Sequence, residues 1–447
     1  MRLSGFTRAA LVAPFCLAVG LAACSRGELG PSLNPAVDTL LAGPEAAARA
    51  RSGPRAPSPI KHVVIVMQEN RSFDNLFQGY PGADTQSYGY DLQGDKIKLR
   101  PVSLAAKYGI DHFSQQFFAA YDGGKMDGFD QETYDGPAPP HPAYGYVPHA
   151  ESALYFQMAG QYVLADRMFT SNIDASFVSH QYIIAGQAQR SVDLPSIEWG
   201  CDGTGGDFIG TLKEDRNYGP DQFPCFDYTT LGDELDAAGL TWRYYTASPT
   251  DIWSGYQAVS HIYNGPDWAN VIAPDTKFLS DVAAGTLSNV TWITPTCETS
   301  DHAGCRSKKG PEWVASIVDA VGQSQFWNST AIFVMWDEWG GWYDHVPPPY
   351  VDYDGLGIRV PLLIVSPYAK AGYVSHVQYE HGSILKFAED QFGLARLAHS
   401  DSRAHSPEDD SFDFRASPRP FRVFGQALKA RDWERTFPDR RPPDSDG

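Results

Sequence analysis

The 447-residue chain contains no GxSxG elbow, no GxxxxGK[ST] phosphate loop and no HExxH pair. A serine-triad lipase, a P-loop enzyme and an HExxH protease are therefore disfavoured. Positive charge is in short supply: 35 Lys and Arg face 54 Asp and Glu, for a formal charge of −19. A field of that sign repels phosphate backbones and excludes general nucleic-acid binding, although a bound cation inverts the sign locally. Cysteine is scarce, six in all, with no CxxC pair and no cysteine–histidine cluster at zinc-finger spacing. A structural zinc site is not indicated. The chain has no internal repeat, and it has no second linker beyond the one near its start. It is rich in core material, 43% hydrophobic and 13% aromatic, which excludes a wholly disordered protein.

Residues 1–23 read as a secretory signal. Arg2 and Arg8 supply the positive start, and Ala9–Leu21 form an apolar run too short for a normal membrane-spanning helix. Leu21-Ala22-Ala23-Cys24 resembles a bacterial lipobox, which implies export and a lipid anchor to a bacterial membrane at Cys24, in the periplasm or on the cell surface. There is no twin-arginine pair. Residues 24–59, rich in Ala, Pro, Gly, Ser and Arg, read as a flexible tether, 60–430 as one domain and 431–447 as a flexible tail. Of the cysteines beyond Cys24, sequence proximity pairs Cys201 with Cys225 and Cys297 with Cys305, in keeping with an oxidising compartment.

Four short apolar runs predict buried parallel strands: Val63–Met67, Val290–Ile293, Ala331–Trp336 and Leu362–Val365. None alternates, as expected of strands covered on both faces. Helical patterns lie between them, at Leu231–Ala238 before Gly239 and at Pro311–Val321. Strand–helix alternation predicts an α/β fold with a mostly parallel central sheet.

The informative polar residues follow two of those strands. One run ends in Gln68-Glu69-Asn70-Arg71-Ser72-Phe73-Asp74, another in Asp337-Glu338-Trp339-Gly340-Gly341-Trp342-Tyr343-Asp344-His345. Strand carboxyl ends line the ligand crevice of an open parallel sheet, so Glu69, Asn70, Asp337 and Glu338 would share one edge. Carboxylates with an amide oxygen suit Ca²⁺, Mg²⁺ or Mn²⁺, and nearby histidines would admit Zn²⁺ or Fe. Either cluster alone reads better as helix-capping or solvated acids; together, each directly after a fully apolar strand, they point to a shared site. Ser176, in Asp174-Ala175-Ser176-Phe177-Val178-Ser179-His180, is a nucleophile candidate or a helix-capping serine. His112, His180, His302, His345 and His381 sit in polar, loop-like sequence and are either surface residues or phosphate-orienting and proton-donating groups.

Ile60–Asp74 closely resembles the opening signature of the bacterial phosphoesterase family, which contains phosphatidylcholine-type phospholipases C and respiratory-burst-inhibiting acid phosphatases. Lys125-Met126-Asp127-Gly128-Phe129, Trp336–Pro348 and Gly357-Ile358-Arg359-Val360-Pro361 resemble further segments of that family. The resemblance implies an alkaline-phosphatase-like three-layer α/β/α core with long loops over the C-terminal strand edge. It implies one divalent ion held by Glu69, Asn70, Asp337 and Glu338, and Ser176 as nucleophile. His180 falls at the basic position of the nucleophile segment, while His112, His302 and His345 match histidines of the phosphate site. The nucleophile segment departs from the family pattern: Asp174-Ala175 replaces Gly-Pro, Val178 replaces proline and Ser179 replaces asparagine.

The expected activity is metal-dependent hydrolysis of phosphoric esters through a phosphoserine. The chain stops shortly after Phe414, which favours acid-phosphatase-like use of phosphomonoesters. Two alternatives stand beside it: a phospholipase C on choline phospholipids, with aromatic loops caging the ammonium group, and a surface binding lipoprotein whose catalytic loop has decayed. The sequence is silent on oligomeric state.

Overall fold

The computed structural model describes residues 58–433 apart from Asp251 and Gln426. The expected signal, the anchor at Cys24, most of the tether and residues 434–447 lie outside the described residues. Of the expected tail, Arg431–Trp433 are described: they continue a short helix, and the Trp433 indole donates to Asp275 Oδ2 at 2.6 Å.

Eight strands form the central sheet: β1 (His62–Gln68), β2 (Val163–Phe169), β3 (Trp242–Tyr245), β4 (Val271–Ile272), β5 (Val290–Ile293), β6 (Thr330–Trp336), β7 (Arg359–Val365) and β8 (Tyr373–Ser375). Their order is β4-β3-β5-β1-β6-β7-β2-β8. Pairing is parallel throughout except at β7, which runs antiparallel to both β6 and β2. The fold is thus α/β with a mostly parallel sheet, as the alternation predicts.

One strand expectation is corrected. Leu362–Val365 forms a strand, but a reversed one. A run buried on both faces is continuously apolar whichever way it points, so composition carries no direction. The connection sets it: no helix lies between β6 and β7, and a parallel return would have required a crossover, usually helical.

Strands β5, β6 and β7 are buried over their whole length, and β1 from Val63 onward. Four helices matter for the site: α1 (Phe73–Phe77), α2 (Ser176–Ala185), α3 (Gly310–Gly322) and α4 (His381–Phe392). Helix α3 packs with Ala153–Gln161 and Lys277–Ala284, while α2 packs with α4 and Leu231–Ala237, so helices gather in two groups over the sheet. Gly239 follows that last helix with φ 68°, the left-handed stop expected of it. Both disulfides form as the spacing predicts, Cys201–Cys225 and Cys297–Cys305. Among the described residues, no helix is long and apolar enough to cross a membrane.

Candidate active site

The chain leaves β1 through a sharp reversal at Asn70, whose φ of 59° is one that asparagine tolerates better than branched residues. This turn aims the Asn70 backbone N–H at Asp337 Oδ1, 3.0 Å away, just past the end of β6. The Asp337 N–H in turn donates to the Gln68 carbonyl at 3.0 Å. The two acidic segments therefore interlock. Gly340 makes the approach possible: its φ is 63°, and a Cβ there would lie 2.4 Å from the Asn70 carbonyl oxygen.

Glu69, Asp337 and His180 offer ligand atoms that all lie within 4.8 Å of one another, and all three are buried. His180 Nε2 is 3.1 Å from Glu69 Oε1 and 3.9 Å from Asp337 Oδ2. Burial first, and the negative Glu69 second, hold the Asp337 carboxyl well above the usual range, against the pull of His180. On the other side, the Asn70 amide donates to His112 Nε2 at 3.0 Å, and His112 Nδ1 donates to the Ile110 carbonyl at 2.8 Å. Glu338 Oε1 lies 3.5 Å from His112 Nε2, and its Oε2 accepts the Gly340 N–H at 2.7 Å. A continuous chain of contacts thus joins Glu69, His180, Asp337, Asn70, His112 and Glu338.

Two buried oxygens in this group, Asn70 Oδ1 and Asp337 Oδ2, have no hydrogen-bond partner. Unpaired acceptors among buried carboxylates are costly unless a cation completes them. The donor set, oxygen-rich with one imidazole, fits a divalent metal.

Ser176 is the first residue of α2, and His180 follows one turn later on the same face, about 5–6 Å away at Cβ. The serine hydroxyl is fully buried and has no hydrogen-bond partner. It sits at a helix N-terminus, where backbone N–H groups favour an anion. Asp174, just before it, is buried and accepts the Asp193 N–H at 2.6 Å. Burial, then the charges of Asp193 and Asp354, push the Asp174 carboxyl far up.

His302 lies in the loop closed by Cys297–Cys305, its ring 6.1 Å from that of His112 and 6.0 Å from Trp253. That loop is tied to β1: Gln68 Oε1 accepts the Asp301 N–H at 2.8 Å, and Arg71 Nε donates to the Asp301 carbonyl at 2.8 Å. His345 stands elsewhere. Its Nδ1 is 2.5 Å from Asp74 Oδ2 and its Nε2 is 3.1 Å from Asp84 Oδ1. Burial works to lower its pKa, but the bond to Asp74 and the charges of Asp74 and Asp344 push it up to about 9.

His112, His302 and His345 lie in loops, as their sequence surroundings imply, whereas two others do not. His180 lies inside α2 and His381 opens α4, where burial drives its pKa down to about 3. Polar neighbours in the sequence here are buried neighbours in space. Sequence reasoning assigned no role to Arg71, Asp74, Asp301, Asp344 or Arg359. The available signal was that acids and arginines recur in the quoted segments beside glycine and aromatics.

The sequence profile of the Phosphoesterase family matches residues 60–395. The non-hemolytic phospholipase C of Pseudomonas aeruginosa is 27% identical over 398 residues, covering 75% of this chain and 54% of that protein. Phospholipase C B of Mycobacterium tuberculosis is 25% identical, covering 85% and 83%, and non-specific phospholipase C1 of Arabidopsis thaliana is 25% identical, covering 84% and 75%. The chain spans little more than half the length of the Pseudomonas relatives, 54% and 53%. Among solved structures, a protein of the alkaline phosphatase superfamily from Vibrio parahaemolyticus aligns at 12% identity and TM-score 0.36, covering 79% of this chain and 73% of that one.

Proposed function

We propose, from the premise that this chain belongs to the Phosphoesterase family, that it hydrolyses phosphoric esters through a phosphoserine at Ser176. Glu69, Asn70, Asp337 and Glu338 would hold one divalent cation, with His180 completing the group. The observation that carries this reading is the Asn70–Asp337 bond of 3.0 Å, which brings two acidic segments 267 residues apart into one buried cluster. When bound, such an ion lowers the pKa of a neighbouring hydroxyl and neutralises charge on phosphate oxygens.

The side chains do the rest. Ser176 Oγ attacks phosphorus as the bond to the leaving oxygen breaks, and its proton passes to a neighbouring base. His302, or a water, supplies a proton to the leaving alkoxide. Water then attacks the phosphoserine, the Oγ–P bond breaks, and inorganic phosphate (or a phosphorylated head group, from a diester) is released. The N-terminus of α2 with His112, His180 and His302 stabilises charge spread over the equatorial oxygens.

Two substrate classes fit this chemistry. Phosphomonoesters are the expectation drawn from the sequence, and phospholipid diesters are favoured by the relatives, which are named as phospholipases C. Comparing p-nitrophenyl phosphate with p-nitrophenylphosphorylcholine separates them. The proposed setting is exported and lipid-anchored at Cys24, with no nucleic-acid partner. Ser176→Ala is expected to lower kcat at least 1000-fold while metal content of the purified protein stays unchanged. Near-normal turnover in that variant would remove Ser176 from the mechanism.

A further inference from the structure

We propose that Asp74, Asp344, His345 and Arg359 form a buried charge clamp that fixes the spacing of the two acidic pairs, acting as positioning residues for the cation. The inference rests on the site reading above and assigns work to three segments which that reading leaves idle.

Asp74 lies four residues after Asn70, and Asp344 six after Glu338. The two segments exchange carboxylates. Asp74 N–H donates to Asp344 Oδ2 at 3.0 Å, and His345 N–H donates to Asp74 Oδ2 at 3.0 Å. Ser72 Oγ adds a bond to the Tyr343 carbonyl at 2.7 Å. Arg359 enters from the start of β7. Its Nε is 3.1 Å from Asp344 Oδ1, its Nη2 is 3.2 Å from Asp344 Oδ2 and 3.6 Å from Asp74 Oδ1, and its Nη1 donates to the Asp166 carbonyl at 2.7 Å. The guanidinium also lies over the Phe73 ring at 4.6 Å. A two-oxygen grip of this kind fixes direction as well as distance.

Asp74, Asp344 and His345 have ligand atoms within 4.8 Å of one another and so resemble a second cation site. Their bonding says otherwise. Asp74 Oδ1 takes the Gln86 N–H and Oδ2 the His345 groups, while Asp344 Oδ1 takes the Val346 N–H and both its oxygens face Arg359. Every oxygen is served, and Arg359 and His345 already supply positive charge. Asn70 Oδ1 and Asp337 Oδ2, in the first cluster, are the opposite case. Groups that orient ligands in this way typically alter metal affinity 10- to 100-fold when removed.

The test uses the full chain, stripped of metal and titrated calorimetrically with Mg²⁺, Ca²⁺, Mn²⁺ and Zn²⁺ in turn. His345→Gln and Arg359→Lys are compared with wild type, with circular dichroism to check folding. Both variants are expected to bind the same number of ions 10- to 100-fold more weakly and to recover kcat at saturating ion. Unchanged affinity in both, a stoichiometry lower by one ion, or a kcat that excess ion does not restore would each overturn the clamp. A wild-type chain that takes up no ion would overturn the site reading itself, and the clamp with it, so the two failures are distinguishable.

Discussion

Replacing Asp337 with asparagine should make the metal-free protein more stable and inactive at once. Ligand atoms of Glu69 and Asp337 lie within 4.8 Å in a fully buried setting. Two unit charges at that separation repel by about 3 kcal/mol at an effective dielectric of 20. Proton uptake in the metal-free state relieves part of this, which leaves a gain of about 1–3 kcal/mol for the neutral side chain. The amide keeps an acceptor for the Asn70 N–H, which Asp337 Oδ1 takes at 3.0 Å. With divalent ion at about 100 times its Kd, wild type should gain about 2.7 kcal/mol and the variant almost nothing. Chemical denaturation of both proteins, with chelator and with excess ion, gives four curves whose order must cross. A variant less stable than wild type in chelator, or one stabilised by the ion as much as wild type, would refute the reasoning.

The remaining predictions concern the supports of the site. The His345 pKa is raised in the fold from 6.5 to about 9, so its contribution is fully present below pH 6.5 and is lost as pH rises through 9. The unfolding free energy of wild type should therefore fall across that window, by at most about 3.4 kcal/mol, and that of His345→Gln should fall by less. Gly340→Ala places a methyl group 2.4 Å from the Asn70 carbonyl at a φ of 63°. We expect a loss of about 1–3 kcal/mol and a marked fall in metal affinity, read by melting and calorimetry. The double change Cys297→Ser and Cys305→Ser frees the short loop carrying His302. The expected cost is about 2–3 kcal/mol by loop entropy, with KM raised; an unchanged KM would show that the loop holds its shape unaided.

Much of the fold was legible because β1, β5 and β6 are unbroken apolar runs, which is what two-sided burial demands. Strand β2 was hidden by Asp166 and Arg167 in its middle. Asp166 is nonetheless buried, where its carboxylate accepts the Asp84 N–H at 2.8 Å and meets His376 Nδ1 at 2.9 Å. Strands β3, β4 and β8 span two to four residues and are too short for a pattern. The acidic pairs stood out because each follows an apolar strand directly. That His180 faces Glu69 was not legible, since it depends on how α2 packs rather than on spacing. The clamp was hidden for a related reason: its arginine comes from a strand whose direction the sequence does not encode.

That single reversed strand has an architectural consequence. Because β6 runs toward the edge that carries Asp337 and Glu338 and β7 starts back from it, both ends of the 22-residue excursion 337–358 are anchored there. The excursion is a loop with a fixed base, and in its outer part Tyr350 is 60% exposed and packs against the Arg216 guanidinium, 4.2 Å from its ring centre. Lengthening or exchanging that outer part leaves undisturbed the register of the sheet and the acids at its base. Insertions can then accumulate in the outer loop while its base stays as it is.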